Sequence, residues 1–342
     1  MVMMSDTARD LRHRVSSGFV LSKGAFVAGL IACAASFLSE HYGAPAMLMA
    51  LLLGIAFHFL YEETECAPGI NFASRVILRI GVALLGLRVS WQMLAELGAV
   101  SVLWIVLAVL TTICLGLIGS RLLKQGWHFG VLTGGSVAIC GASAAMAISA
   151  VLPRNDRSER DLTFTVMAVT ILSTIAMVLY PIIAESAGMS PPEAGLFLGA
   201  TIHDVAQVVG AGYTVSDETG DVATAVKLLR VAMLAPVIFF LGIAIGLSGR
   251  AVTDDTKKPP LLPLFVVVFL LLTSLNSVIS VPEWVISLAS QASKWMLLTA
   301  VAAAGMKTSL KQLSKIGGQA IILVVAETLY LGTGFLLVVG WS

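Results

Sequence analysis

Charged residues are scarce in this sequence. Only 12% of its 342 residues are Asp, Glu, Lys or Arg and 58% are hydrophobic, whereas a soluble domain carries about 25% charge. With a mean hydropathy of +0.94, the chain is predicted to be an integral membrane protein whose solvent is the lipid bilayer. The formal net charge of +1 gives no sign of nucleic-acid binding.

Several patterns that carry chemistry are also missing. The four cysteines, at positions 33, 66, 114 and 140, have no metal-ligand spacing and do not indicate a disulfide framework. No nucleophile–base pair and no phosphate-binding glycine loop stands out. We therefore expect a protein that is not an enzyme and that holds no cofactor or metal. The first 23 residues lack the short apolar core of a signal peptide and are predicted to be a cytosolic tail.

The hydrophobic residues are grouped in runs of about 15–25 residues, which predicts membrane-spanning helices rather than strands. The predicted class is therefore an all-α integral membrane protein with about eleven transmembrane helices. The runs are 24–39, 45–61, 75–94, 97–119, 127–150, 162–184, 191–213, 222–247, 261–276, 285–305 and 316–340.

The distribution of Lys and Arg between the loops predicts the orientation. With the N-terminus inside and the C-terminus outside, most of these residues fall on the inner side, as membrane proteins prefer. The stretch "PRNDRSERD" (153–161) is the exception, because its three arginines fall outside. If the number of spans is wrong, we expect the error near this stretch.

Two short sequences occur twice. "LLLGIAFH" (51–58) resembles "LFLGATIH" (196–203), and "LRIGVALLG" (78–86) resembles "LRVAMLAPV" (229–237). Each match joins runs that are five apart, and an odd number of crossings reverses direction. We therefore predict two inverted five-helix repeats, residues 45–190 and 191–342, preceded by an extra helix in 24–44.

Inverted repeats are typical of secondary transporters, whose substrate sites lie where paired helices are interrupted near the midplane. The fifth run has glycines at 134, 135 and 141, and each disfavours a continuous helix by about 1 kcal/mol relative to Ala. Its predicted partner is the tenth run, "WMLLTAVAAAGMKTSL" (295–310). Both runs are therefore expected to contain broken helices that cross.

The motifs "GGSVAICGASAA", "GATIHDVAQVVGAG", "KLLRVAMLAP" and "AVAAAGMKTSL" together resemble the sulfate exporter family of YeiH-type bacterial inner-membrane proteins. The resemblance covers residues from about 45 to the C-terminus. It implies a fold related to bile-acid symporters and cation/proton antiporters, with inverted repeats and crossing broken helices. It also implies a location in the bacterial inner membrane.

An interruption in the fifth run would expose backbone N–H groups at the start of its second half, and these favour anions. The candidate substrate-binding residues here are Gly134, Gly135, Ser136, Cys140, Gly141 and Ser143, with Thr299 in the tenth run. The alternative is tight helix packing through small residues, which membrane proteins use widely. For Thr299 the alternative is a hydrogen bond to its own preceding turn.

The seventh run contains ionisable groups in an apolar setting. His203 and Gln207 are four residues apart and are expected to share a helix face, with Asp204 beside them. Asp204 and His203 are candidates for proton coupling, because intramembrane ionisable groups are usually functional or paired. The alternative for Asp204 is a structural ion pair with Arg230 or Arg79.

Other polar residues in apolar runs have less defined roles. Arg230 is a candidate anion ligand because its planar guanidinium matches an oxyanion, and Lys227 could extend to the outer surface instead. His58 has no adjacent acid and is expected to be a satisfied polar group in the core. Glu327 is an intramembrane acid to which the sequence assigns no role.

The sequence favours a secondary transporter of a small anion such as sulfate, sulfite, a sulfonate or a small carboxylate, with protons as the coupling ion. By the resemblance, spans four to six and nine to eleven would move against spans two, three, seven and eight, as in an elevator. The alternatives are a cation/proton antiporter using Asp204 and a membrane sensor without transport. A homodimer is compatible with the sequence.

Overall fold

The computed structural model describes residues 3–42, 45–89, 92, 95, 98–153, 155–247, 264–279, 281–308 and 318–340, with side chains from residue 21 onward. Regular structure in these residues is helical. The helices are α1 (Met3–Tyr42), α2 (Ala46–Ala56), α3 (Phe59–Glu62), α4 (Ala67–Phe72), α5 (Leu78–Leu84), α6 (Gly98–Leu122), α7 (Trp127–Ala138), α8 (Ala142–Val151), α9 (Ser158–Ser186), α10 (Pro191–Thr201), α11 (Val205–Val215), α12 (Asp217–Ala232), α13 (Leu234–Leu247), α14 (Leu264–Val278), α15 (Glu283–Lys307) and α16 (Gly318–Gly340).

Seven helical stretches in this part of the chain are long and apolar enough to cross a membrane: Leu21–Tyr42, Ala67–Leu87, Gly98–Leu122, Ser158–Ser186, Asp217–Leu247, Glu283–Lys307 and Gly318–Gly340. Four shorter segments lie between them: α2 with α3, α7 with α8, α10 with α11, and α14. Each of the eleven predicted runs overlaps one of these segments. The prediction of an all-α integral membrane fold is therefore confirmed.

The first helix, α1, runs from Met3 to Tyr42, and its apolar stretch begins at Leu21, close to the predicted start at residue 24. The cytosolic location of the residues before it stays a prediction. The third segment begins at Ala67 rather than at residue 75, with a π-helical stretch at Ala73–Ile77, and most of residues 90–94 lie outside the described residues. Gly24 of α1 and Gly69 of α4 lie in backbone contact, where a Cβ on either glycine would overlap the other helix.

The fifth segment turns back on itself. A Cβ on Gly135 in α7 would overlap Cδ1 of Ile148 in α8, although these residues would lie about 20 Å apart along one straight helix. The turn is at residues 139–141, where Gly141 has a φ of +62°. Helices α7 and α8 therefore form a helical hairpin, hairpin A, whose tip is residues 139–141.

The seventh segment also turns back. The hydroxyl of Thr219 at the start of α12 donates to the carbonyl of Pro191 at the start of α10, at 3.2 Å. A Cβ on Gly212, near the end of α11, would lie 2.8 Å from Cα of Gly220 in the same part of α12. The start of α10 and the end of α11 are therefore close together. These two helices form hairpin B, whose tip is residues 202–204.

Helix α9 lies along both hairpins and shows that they enter from opposite ends. Its contacts, in chain order, are Phe164 with Phe129 of hairpin A, Val169 with the tip glycine 141, Ser173 with Asp204 of the other tip, and Tyr180 with Phe197 of hairpin B. The base and tip of hairpin A are thus followed by the tip and base of hairpin B. The two tips meet in the middle of the molecule.

These hairpins correct the predicted partner of the fifth segment. The tenth segment is a single helix over Glu283–Lys307, and the second interruption lies in the seventh segment. The one glycine of the tenth segment in 295–307, Gly305, allows close helix packing instead, because a Cβ there would overlap the carbonyl of Leu51. Two of the eleven segments in the described residues therefore turn back. The division into repeats at residue 190 stays a prediction.

Hairpin A also explains the position of the arginines in 153–161, which were predicted to fall on the outer side. Arg157 and Arg160 line a surface recess together with Gln125 and Phe129 at the start of α7. They therefore lie at the same end of the molecule as the base of hairpin A. With a hairpin instead of a crossing, these two arginines fall on the side that holds most of the other cations.

The helices pack as two groups. The hairpin bundle comprises α6, both hairpins, α9, α12, α13 and α16, and the flanking bundle comprises α1–α5, α14 and α15. This differs from the grouping that the resemblance implied. The seventh and eighth segments pack with the fourth to sixth, and the ninth and tenth pack with the second and third. Hairpin B could not lie apart from hairpin A because their tips are in contact.

Candidate functional site

The two tips are joined by a pair of buried cations on α12. Nζ of Lys227 donates to the carbonyls of Ile139 in tip A and Ile202 in tip B, at 2.6 and 2.9 Å. The guanidinium of Arg230 donates to carbonyls at the ends of α7 and α10, which belong to Val137, Ala138, Gly199 and Ile202. Both side chains are at most 1% exposed.

This arrangement follows from helix electrostatics. The last carbonyls of a helix have no partner within the helix and carry partial negative charge, which a nearby cation stabilises. Lys227 and Arg230 satisfy these carbonyls in both hairpins at once. The predicted roles of Arg230, as an anion ligand or as the partner of Asp204, are therefore wrong in this structure. The expectation that Lys227 extends to the surface is wrong for the same reason.

The other two helix ends at the tips face a cavity. Ala142 and Ser143 at the start of α8, and Val205 and Ala206 at the start of α11, line a cavity of about 460 Å³. The start of α8 has no side-chain cap. Its first backbone N–H groups therefore have no intrahelical partner and are available to a ligand.

Asp204 caps the start of α11. Its Oδ1 accepts from the backbone N–H of Ala206 at 2.8 Å, and its own N–H donates to Oγ of Ser173 at 2.9 Å. The side chain is partly exposed and lines the cavity. Among the described residues, no Lys, Arg or His nitrogen lies within 4.0 Å of its carboxylate. The predicted structural ion pair is therefore absent from the described part of the chain.

Gln207 lies one turn further along α11, at the cavity wall. Its Nε2 donates to Oγ1 of Thr174 at 2.7 Å. Its Oε1 has no partner, although the residue is only 2% exposed. A buried polar atom without a partner is unusual in folded proteins. Gln207 therefore lines the cavity with an unpaired oxygen, and its role as a substrate ligand stays a prediction.

His203 does not share a helix face with Gln207, because it lies in the tip rather than in a helix. It is fully buried, and its Nε2 lies 3.0 Å from Oγ1 of Thr328. That hydroxyl already donates to the carbonyl of Val324 at 2.8 Å, so Nε2 is the donor to it. His203 therefore fixes tip B to α16 rather than lining the cavity.

Charged side chains of the flanking bundle complete the cavity wall. Arg75, Arg79 and Lys307 line it, against two acids, Glu62 and Asp204. Three cations and two acids leave one net positive charge when histidine is neutral. The cavity is thus a partly polar space between the two bundles.

His58 lies on the flanking side of the cavity. Its Nδ1 donates to the carbonyl of Met306 at 2.7 Å, which agrees with the expected satisfied polar group. It is partly exposed to the cavity, which was not expected. Like His203, it lies two residues after the end of an eleven-residue helix, α2 in one case and α10 in the other.

Several predicted site residues have packing roles instead. In α7, Gly134 packs against Thr112, Gly135 against Ile148, and the hydroxyl of Ser136 donates to the carbonyl of Leu132. Thr299 donates to the carbonyl of Trp295, one turn earlier, at 2.8 Å. These contacts are the packing alternatives that the sequence left open.

The predicted residues that line the cavity are Cys140, Ser143, Asp204 and Gln207, and Gly141 shapes tip A. Glu62, Arg75 and Lys307 also line the cavity, a role that the sequence did not indicate. Lys307 follows directly after the small-residue stretch of the tenth run, and that position could have indicated it. Glu62 and Arg75 carried no distinguishing signal.

Similarity to known proteins was found over most of the chain. Residues 19–324 match the family described as Conserved hypothetical protein 698. The UPF0324 membrane protein TauZ of Paracoccus pantotrophus is 57% identical over 309 residues, covering 90% of this chain and 91% of that protein. A UPF0324 membrane protein of Rhizobium meliloti is 52% identical over 331 residues, covering 96% of both chains.

A more distant relative is the UPF0324 inner membrane protein YeiH of Escherichia coli, 31% identical over 299 residues, which cover 85% of this chain and 84% of YeiH. Among solved structures, the sodium proton antiporter MjNhaP1 of Methanocaldococcus jannaschii is 12% identical, with 95% and 99% of the two chains covered. The TM-score of 0.27 is too low to relate the two folds. The resemblance to YeiH-type proteins is confirmed, and the chain belongs to the UPF0324 family of multi-pass membrane proteins.

Proposed function

We propose that this protein is a secondary active transporter of a small anion and that the anion binds in the cavity at the hairpin tips. The observation that carries the proposal is the division of the helix ends. The carbonyl ends of α7 and α10 are neutralised by Lys227 and Arg230, whereas the start of α8 faces the cavity without a side-chain cap and the start of α11 faces it capped by Asp204. A site that presents helix N-termini favours negative charge.

The side chains around the cavity support an anion of modest size. Ser143 supplies a hydroxyl beside the uncapped start of α8, and Arg75, Arg79 and Lys307 supply positive charge. The volume of about 460 Å³ is enough for an ion of the size of sulfate, sulfite, a small sulfonate or a small carboxylate, together with water. We propose that Asp204 takes up the coupling proton, because its carboxylate lies at the same wall.

Alternating access requires that the cavity be closed towards one side of the membrane. A cluster of polar residues that could provide this closure lies in the molecule away from the cavity. Nη2 of Arg88 lies 3.0 Å from Oδ2 of Asp221 and 3.7 Å from Oδ2 of Asp217. Nη1 of Arg88 donates to Oγ of Ser290 at 3.2 Å, and the hydroxyl of Tyr213 donates to Asp221. These five residues form the Arg88 cluster.

The Arg88 cluster joins the two bundles at a distance from the cavity. Four segments contribute to both places, and each pair is separated by the helix rise of 1.5 Å per residue. The pairs, cavity residue first, are Arg75 and Arg88 at about 20 Å, Lys307 and Ser290 at about 26 Å, Gln207 and Tyr213 at about 9 Å, and Val231 and Asp221 at about 15 Å. Opening the far side would require the cluster to separate.

We also propose the location and orientation. The Escherichia coli relative is named an inner membrane protein, and we place this chain in the bacterial inner membrane as well. The N-terminus is cytoplasmic and the C-terminus is outside, because the arginines beside hairpin A then join the other cations on the inner side. The cavity would open to the cytoplasm and the Arg88 cluster would close the outer side. A homodimer stays a prediction.

A cation/proton antiporter is the main rival. It would use Asp204, but this carboxylate caps α11, where the positive end of the helix already compensates part of its charge. The net charge of the cavity wall also favours an anion. A sensor without transport would not need a sealed far side that joins the two bundles.

The test is flux in vesicles with purified protein. Anions of the four classes are offered under a pH gradient, with and without sodium or potassium, in wild type and in Arg75→Gln. We expect anion uptake that follows the pH gradient, ignores sodium and potassium, and falls in Arg75→Gln but not in Arg121→Gln, an exposed arginine of α6. Cation-dependent proton flux without anion uptake would establish the antiporter, and no flux of either kind would favour the sensor.

A further inference from the structure

Glu327 is a buried acid that lies outside the cavity. It lies in the middle of α16 and is 0% exposed. Its Oε1 accepts from the hydroxyl of Thr133 in hairpin A at 2.9 Å, and its Oε2 has no partner. Room for the carboxyl group comes from Gly116 of α6, where a Cβ would lie 2.8 Å from Oε1.

No cation compensates this acid in the described part of the chain, where no Lys, Arg or His nitrogen lies within 4.0 Å of it. The polar groups of the described residues that lie against this part of α16 are Thr133 of α7, which donates to Glu327, His203 of tip B, which donates to Thr328, and Tyr180 of α9, whose hydroxyl lies beside Gly332. A charged carboxylate in such surroundings is strongly disfavoured, and binding a proton removes the charge.

A second orphan atom lies nearby. Oγ1 of Thr112 has no partner and is fully buried. Thr112 is one helical turn from Gly116, the residue against which the carboxyl group packs. Oε2 of Glu327 and Oγ1 of Thr112 are buried polar atoms without a protein partner, and buried water commonly satisfies such atoms.

The position of Glu327 links the two hairpins. Glu327 holds hairpin A through Thr133, and the next residue, Thr328, holds tip B through His203 at 3.0 Å. Adjacent residues of one helix therefore contact both interrupted segments. A change of charge at Glu327 would alter the contact with hairpin A beside the point that fixes hairpin B.

We propose that Glu327 is a second proton-binding site, separate from the cavity, and that its proton must be bound and released during the transport cycle. The carboxylate takes one proton from water to form a neutral carboxylic acid and later returns it to water. The coupling part of this proposal rests on the proposed transport of an anion. The binding of the proton does not.

Infrared spectroscopy tests proton binding directly. Wild type should show the carbonyl band of a neutral carboxylic acid at neutral pH that is absent from Glu327→Gln and still present in Asp204→Asn. In Thr133→Val the band should move to higher frequency, because Oε1 loses its donor. If the band is missing from wild type at every pH, or if it stays in Glu327→Gln, the proposal is overturned.

Vesicle flux tests the coupling. Glu327→Gln keeps the size of the side chain and an oxygen for Thr133, so it should still exchange anion for anion while losing uptake driven by a pH gradient. Unchanged gradient-driven uptake in Glu327→Gln would contradict the coupling role. If wild type moves no anion at all, the proposed transport fails, whereas the infrared band still decides whether Glu327 binds a proton.

Discussion

Lys227 and Arg230 lie one turn apart on α12, and together they hold the tips of both hairpins. Lys227 bridges a carbonyl of each tip, and Arg230 donates to carbonyls at the ends of α7 and α10. Two segments that enter from opposite ends are thus fixed to one helix by charge. The meeting of the tips, and with it the cavity, depends on these two side chains.

Arg230→Ala should therefore destabilise the fold rather than simply weaken binding. It leaves several buried carbonyls without a partner, each costing about 1–3 kcal/mol, so we expect a large fall in melting temperature in detergent. Arg121→Ala, at an exposed position of α6, should melt like wild type. A stable Arg230→Ala protein with reduced anion affinity would instead return Arg230 to the role of a ligand.

Asp204 allows its two roles to be separated. Asn is as good a helix cap as Asp, whereas Ala costs about 1 kcal/mol. We expect Asp204→Asn to keep the stability of wild type and to lose uptake driven by a pH gradient, while Asp204→Ala also loses stability. Melting curves and vesicle flux check this, and normal pH-driven uptake in Asp204→Asn would remove it as a proton carrier.

The Arg88 cluster should open and close during transport. With the four native cysteines replaced, Arg88→Cys and Asp221→Cys are combined and treated with a short bifunctional thiol reagent. We expect the cross-linked protein to bind anion and not to transport it, and each single variant treated in the same way to transport. Transport at the wild-type rate after complete cross-linking would show that the far side does not open there.

The turn in tip A needs a glycine. Gly141 has a φ of +62°, which other residues adopt only with strain of about 1–3 kcal/mol. Gly141→Ala should therefore be destabilised by that amount. Gly334→Ala, inside α16 with open space around the added methyl, should be neutral or stabilising by up to about 1 kcal/mol. Equal melting temperatures for the two variants would contradict the observed turn.

The membrane segments could be predicted from sequence, but the direction of two of them could not. A bilayer requires long apolar stretches, so all eleven runs were visible. A run of about 25 residues has the same composition whether it crosses or turns back. Two signals pointed to the turns: Asp204 is a good helix cap in the middle of a run, and the arginines of 153–161 fell on the wrong side for a crossing.

Only part of the candidate site could be predicted from the sequence. Ser143, Asp204 and Gln207 line the cavity as expected, because polar groups in an apolar run face a polar space. Arg230 was predicted to bind a negatively charged substrate, whereas its guanidinium binds the partly negative carbonyls at two helix ends. Helix-end carbonyls and an anion both offer negative charge to a guanidinium, and only the fold decides which of them lies within reach.

The central claim is that an anion binds at the uncapped start of α8. The most direct measurement is the rate at which a thiol reagent that cannot cross membranes modifies Ser143→Cys, in a protein without other cysteines. We predict modification from the cytoplasmic side that slows as a transported anion fills the site, while Asp156→Cys, an exposed position, reacts at the same rate throughout. If Ser143→Cys reacts equally fast with and without every anion that the protein transports, the anion does not bind there.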